Sequence, residues 1–181
     1  MSREELLYPL THLFAQDGRE LPAVEVLTGN EVPEPCRSLL VHHGDMTSRL
    51  EEFHGNSLFL EVLQREQDGD AYRREVLLRV ADSGLPVEYG AIEINLAAFT
   101  PELRAQVLAA RQPLGALLNA SGLGYRSEPR AFIRMAPSEA MKMLFGDEVV
   151  RELYGRCNRL LAEDGTTLAS IVEVLRPHSP R

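Results

Sequence analysis

The 181-residue chain contains no tryptophan, one lysine and two cysteines, and each shortage narrows the chemistry open to it. Schiff-base catalysis and a P-loop lysine have a single candidate, Lys142, with no glycine-rich phosphate motif before it. Cys36 and Cys157 stand alone, without a C-x-x-C spacing, so neither a disulfide framework nor a cysteine-based zinc site is expected. Adjacent His42 and His43 on an extended segment would face opposite sides and fail to share an ion, so no metal is expected. The longest stretch free of charge runs only between Arg111 and Arg126, short of the roughly 20 residues a spanning helix needs, so membrane insertion is not expected. G-x-S-x-G is absent as well, which removes the commonest serine-nucleophile signature.

Acidic residues outnumber basic ones, 27 to 19, giving a net charge of −8 and a pI near 5.2. Such a surface repels phosphate backbones, and nucleic acid is not an expected partner. The charged start, Met1 to Glu5, leads into no signal-type apolar segment, so a cytoplasmic protein is expected. An apolar share of 44% is enough for a real core. With no internal repeat and no Pro/Gly/Ser-rich linker, one domain over residues 1–181 is the economical reading.

Ser2 and Glu5 have capping-box spacing and predict a first helix from Arg3 until Asp17-Gly18. Strands are expected over Ala23 to Leu27 and Ser38 to His42, with Asp45 capping a short helix over Thr47 to Phe53. Ser57 to Arg65 and Tyr72 to Val80 flank Asp68-Gly69, a hairpin signal, and Asp82-Ser83-Gly84 turns into Val87 to Leu96. Thr100-Pro101 and Pro113 open two helices. Arg130 to Met135 reads as a strand, Ser138 to Phe145 as a helix, and Arg156 to Ala162 with Leu168 to Leu175 as a final hairpin around Asp164-Gly165. The class expected is α+β, a single antiparallel sheet of about six strands with helices covering one face and forming flaps over a buried site.

Side chains alternate across a strand, which makes two charges anomalous. Arg74 shares its face with Val76, Leu78 and Val80, and Glu173 interrupts the apolar run Leu168 to Leu175. A charge on a core face must be paired or it costs several kcal/mol. Three readings fit: the two residues pair with each other, either lies on a solvent-facing edge, or both belong to a polar site inside an apolar cavity.

Arg74-Glu75-Val76-Leu77-Leu78, then Pro113-Leu114-Gly115-Ala116-Leu117-Leu118, then Glu173 four residues before Pro177, together with Gly44-Asp45-Met46-Thr47-Ser48-Arg49-Leu50-Glu51 upstream, resemble the chorismate lyase family in order and spacing. The resemblance spans about Leu39 to Pro177. It implies a cofactor-independent lyase that eliminates pyruvate from chorismate to leave 4-hydroxybenzoate. Arg74 would then hold the ring carboxylate, Met46, Leu114 and Gly115 would line the ligand, and Glu173 would bond the ring hydroxyl near the bond being broken, with Arg74 and Glu173 as the catalytic pair. Where the family carries an arginine after a glycine, this chain has Ala91, followed by Ile92 and Glu93. The same scaffold also serves the effector domains of some transcription regulators. The second expectation is therefore a non-catalytic domain that binds a small aromatic or cyclohexadienyl carboxylate.

Overall fold

The computed structural model describes residues 2–146 and 150–177. Ser2 accepts from the Glu5 N–H while Glu5 accepts from the Ser2 N–H, capping α1 (Arg3–Leu6) as the spacing predicts. The single long helix expected there divides at Pro9. Proline has no N–H to continue the ladder, and α2 (Leu10–Gln16) begins after it.

After β1 (Val24–Leu27), the strand expected at Ser38 to His42 is instead a helix, α3 (Cys36–Leu40), which follows Pro35 and buries Cys36, Leu39 and Leu40. Asp45 caps α4 (Met46–His54), accepting from the Ser48 N–H at 2.8 Å. Three strands follow through short turns, β2 (Leu58–Asp68), β3 (Ala71–Val80) and β4 (Pro86–Asn95). Thr100 caps α5 (Pro101–Ala109), and α6 (Leu114–Ser121) follows Pro113. Then come β5 (Tyr125–Met135), α7 (Glu139–Phe145), β6 (Leu153–Ala162) and β7 (Thr167–Leu175).

All neighbouring strands pair antiparallel in one seven-stranded sheet, ordered β1-β5-β6-β7-β4-β3-β2. The class is α+β with a single antiparallel sheet, as expected, and the helices lie against both faces. On one face Leu7, Leu10, Leu13 and Phe14, with Met141 and Phe145 of α7, bury Leu77, Tyr89, Ala91, Val172 and Val174. On the other face α3 and α4 place Leu39, Leu40, Met46 and Leu50 against Leu58, Leu78 and Leu175. Beside them α5 and α6 place Val107, Leu114 and Leu118 against Ile92, Ile94 and Leu160. These two clusters meet the same sheet face side by side, and the space left between them is the cavity described below. Among the described residues no helix is long and apolar enough to cross a membrane.

Close approach of β6 and β7 depends on Gly155, where a Cβ would sit 2.2 Å from the Glu173 carbonyl oxygen. Gly155→Ala is therefore expected to push the two strands apart and cost about 2 kcal/mol, read as a lower urea midpoint. A midpoint equal to that of the parent chain would show that the sheet absorbs the methyl group without strain.

Candidate ligand-binding site

Register places the cavity floor in three cross-strand rows. Arg74, Ile92, Ile171 and Asn158 lie opposite one another across β3, β4, β7 and β6. Val76, Gly90, Glu173 and Arg156 form the next row, and Leu78, Glu88 and Leu175 the third. Because strand side chains alternate, all of these project from the same face. The roof is the start of two helices, Asp45, Met46 and Thr47 at α4 and Pro113, Leu114 and Gly115 at α6. Together they enclose about 60 Å³.

The two helix starts approach closely because Gly115 has no side chain. A Cβ there would lie 3.2 Å from both Asp45 Oδ1 and Thr47 Oγ1. Asn119 Nδ2 donates to Asp45 Oδ2 at 3.3 Å, and the Tyr125 hydroxyl donates to Asn119 Oδ1 at 2.8 Å, tying α6 to the α4 cap. No side chain caps α6.

Glu173 does not pair with Arg74. Its carboxylate accepts from Arg156 Nε, a residue with no solvent exposure at all. The same guanidinium donates to the carbonyls of Leu40 (3.4 Å), His42 (3.1 Å) and Gly44 (3.3 Å), so one side chain links the sheet floor to the segment leading into α4. His42 stiffens that segment. Its Nε2 donates to the Leu39 carbonyl at 2.8 Å and its Nδ1 accepts from the Gly44 N–H at 3.0 Å, an arrangement that needs the neutral ring. Burial, with Arg156 nearby, lowers its pKa to about 4. His42 is thus a structural residue, and among the described residues no cluster of His, Cys, Asp and Glu has the makings of a metal site.

Arg74 is 1% exposed and has no carboxylate within ion-pair distance among the described residues. Its Nη1 donates to the Val107 carbonyl at 3.4 Å, its guanidinium carbon lies 5.9 Å from the Tyr72 ring centroid, and its Nε has no hydrogen-bond partner. Burial works against the charge and draws its pKa down. Two further lining atoms lack a partner, Glu88 Oε2 and Asn158 Nδ2. Glu88 is buried, and its pKa is pushed well above the carboxylate range, first by burial and then by the charge of Glu173, with Arg156 acting the other way.

The structure brings all five residues singled out in the sequence, Arg74, Glu173, Met46, Leu114 and Gly115, around this one cavity. It also adds Arg156 and Glu88, which the sequence reading passed over. Ala91 and Glu93 are elsewhere: Ala91 packs in the core of the opposite face, and Glu93 pairs there with Arg73 and Tyr8. A missing arginine at position 91 therefore leaves no gap in the cavity, whose second arginine comes from β6.

No protein-family model matches the sequence, and no curated protein matches it. Solved structures do. The effector domain of PhnF from Mycobacterium smegmatis superimposes with a TM-score of 0.57 at 14% identity, over 74% of this chain and 88% of that one. PhnF from the same organism gives 0.58 at 12% identity, over 91% and 92% of the two chains. The fold is the one these effector domains have. The ligand-binding domain of a putative GntR-family regulator from Bordetella bronchiseptica gives 0.50 at 14% identity, over 70% and 90%.

These findings correct the assignment to the chorismate lyase family and the lyase activity it implied, because the solved chains this fold matches are regulator effector and ligand-binding domains. The site gives a physical reason as well. Glu173, which that resemblance put near the bond being broken, is held in an ion pair by Arg156, so it is not a free acid.

Proposed function

We propose that this chain is a small-molecule-sensing domain whose cavity binds an organic anion, an aromatic or cyclohexadienyl carboxylate, without turning it over. The observation that carries the reading is Arg74, a buried guanidinium facing the cavity with no carboxylate of the described residues within ion-pair distance. A buried charge is stable only when paired, and the counter-ion missing from the protein is what a ligand would bring. A planar guanidinium binds a carboxylate through two parallel hydrogen bonds, and the start of α6, which no side chain caps, lines the same cavity. The remaining lining, Leu60, Val76, Ile92, Leu114, Leu160 and Ile171, suits an apolar body. The binding role that the solved neighbours carry in their names points the same way.

The test is calorimetric titration with 4-hydroxybenzoate. Arg74→Lys keeps the charge and loses the fork, so its dissociation constant should rise on the order of 10- to 100-fold. An unchanged constant would place the anion elsewhere and end this reading of the cavity.

A further inference from the structure

We propose that Glu88 takes part in binding as a carboxylic acid, donating its O–H to a neutral oxygen at the far end of a ligand whose anionic group meets Arg74. This inference rests on the binding reading above and adds to it the class of ligand and its coupling to pH.

Glu88 is 5% exposed, lines the cavity, and has Oε2 out of reach of any donor. An ionised oxygen left so would cost several kcal/mol. Protonation removes that cost and turns the orphaned acceptor into a donor lacking an acceptor. The charged groups around it favour the same state. Glu173 on β7 repels its charge. Arg156 on β6 already serves Glu173 and three carbonyls. Arg74 on β3 faces the same cavity two rows away, and the roof contributes Asp45, an acceptor engaged in its own helix cap. The raised pKa of Glu88 agrees with this geometry.

Gly90 lies between the row of Arg74 and that of Glu88. Its missing side chain leaves the floor open, and a Cβ there would come within 3.2 Å of Val76 Cγ2 and 3.6 Å of Glu88 Oε1. A ligand lying over Gly90 reaches both ends. With Arg74 and Arg156 positive, Glu173 negative and Glu88 neutral, the sheet floor of the cavity carries one surplus positive charge, which matches one negative charge on the ligand, while the Asp45 carboxylate in the roof is engaged by the Ser48 N–H and Asn119. A second carboxylate at the far end would face Glu88 and Glu173. The class is therefore a monocarboxylate with an apolar body and an ether, carbonyl or hydroxyl oxygen opposite the carboxylate.

Two probes of similar shape isolate the oxygen, 4-methoxybenzoate and 4-methylbenzoate, with affinities measured by calorimetry across pH. The parent protein is expected to prefer the methoxy compound by about tenfold, and to show the infrared carbonyl band of a protonated acid at neutral pH. Preference and band should disappear together as pH rises through the Glu88 pKa. Glu88→Gln keeps an N–H donor without a titrating group, so it should lose the band and retain the preference at every pH. Glu88→Leu should lose both. Absence of the band, or a preference that stays constant while the band titrates away, overturns the proposal. If both probes bind equally and Arg74→Lys weakens both, the role of Glu88 fails while the anion site stands. If neither probe binds, both readings fall.

Discussion

Arg156→Met is expected to destabilise the protein by about 3 to 5 kcal/mol, the cost of stranding one half of a buried ion pair. Removal of the guanidinium leaves Glu173, only 5% exposed, without its partner, and takes the donor away from the carbonyls of Leu40, His42 and Gly44. For a chain of this length each kcal/mol is worth roughly 2 to 4 °C, so the thermal midpoint should drop on the order of 10 °C. Combining it with Glu173→Met should recover a large part of the loss, because the second change removes the stranded carboxylate. Scanning calorimetry on the two variants is the measurement. A single variant that melts with the parent would mean that the pair adds nothing to folding.

Arg74→Met should do the opposite. The two arginines line one cavity, but among the described residues Arg74 has no carboxylate within ion-pair distance, and its desolvated charge is offset only by a long hydrogen bond to the Val107 carbonyl and the Tyr72 ring. Methionine fills much of the same volume without charge. We expect the unliganded variant to gain on the order of 1 to 3 kcal/mol in stability while affinity for 4-hydroxybenzoate falls at least about 100-fold. Opposite signs in stability and binding are what distinguish a ligand's counter-charge from a structural one. If Arg74→Met destabilises the protein as much as Arg156→Met does, Arg74 has an internal role and the site has been misread.

How much of this was legible in the sequence followed from how local each signal is. Turn chemistry at Asp68-Gly69 and Asp164-Gly165 placed two hairpins, with Gly69 and Gly165 at positive φ, and Ser2, Asp45 and Thr100 each cap the helix they were expected to cap. The short apolar run Leu39-Leu40-Val41 carries no periodicity able to separate strand from helix, and α3 was missed for that reason. β5 begins at Tyr125, earlier than expected, because Pro129 sits inside it beside a register shift and reads from sequence as a break. Arg74 and Glu173 could be found by parity since each interrupts an apolar face. Arg156 could not: Tyr154 and Asn158 share its side of β6, so one more polar residue breaks no pattern. Glu88 stands near the start of β4, just after Pro86, where a carboxylate passes for a solvent-facing end. What buries it is α3 and α4 packing over that end of the sheet, a tertiary effect with no local signature.

The sheet order has a kinetic consequence. β2, β3 and β4 form one run of sequential hairpins, while β5, β6 and β7, with α7 between the first two, form a second run of antiparallel neighbours, and the two runs join where β4 pairs with β7. Arg74, Glu88 and Gly90 belong to the first run, Arg156, Asn158 and Glu173 to the second, so the cavity straddles the seam. Neither half can offer a complete site before that sequence-distant junction closes, and closing it carries the loop entropy that makes non-local pairing slow. An anion bound as proposed above would lie against residues of both runs, and in that case would oppose the opening of the junction rather than speed its closing.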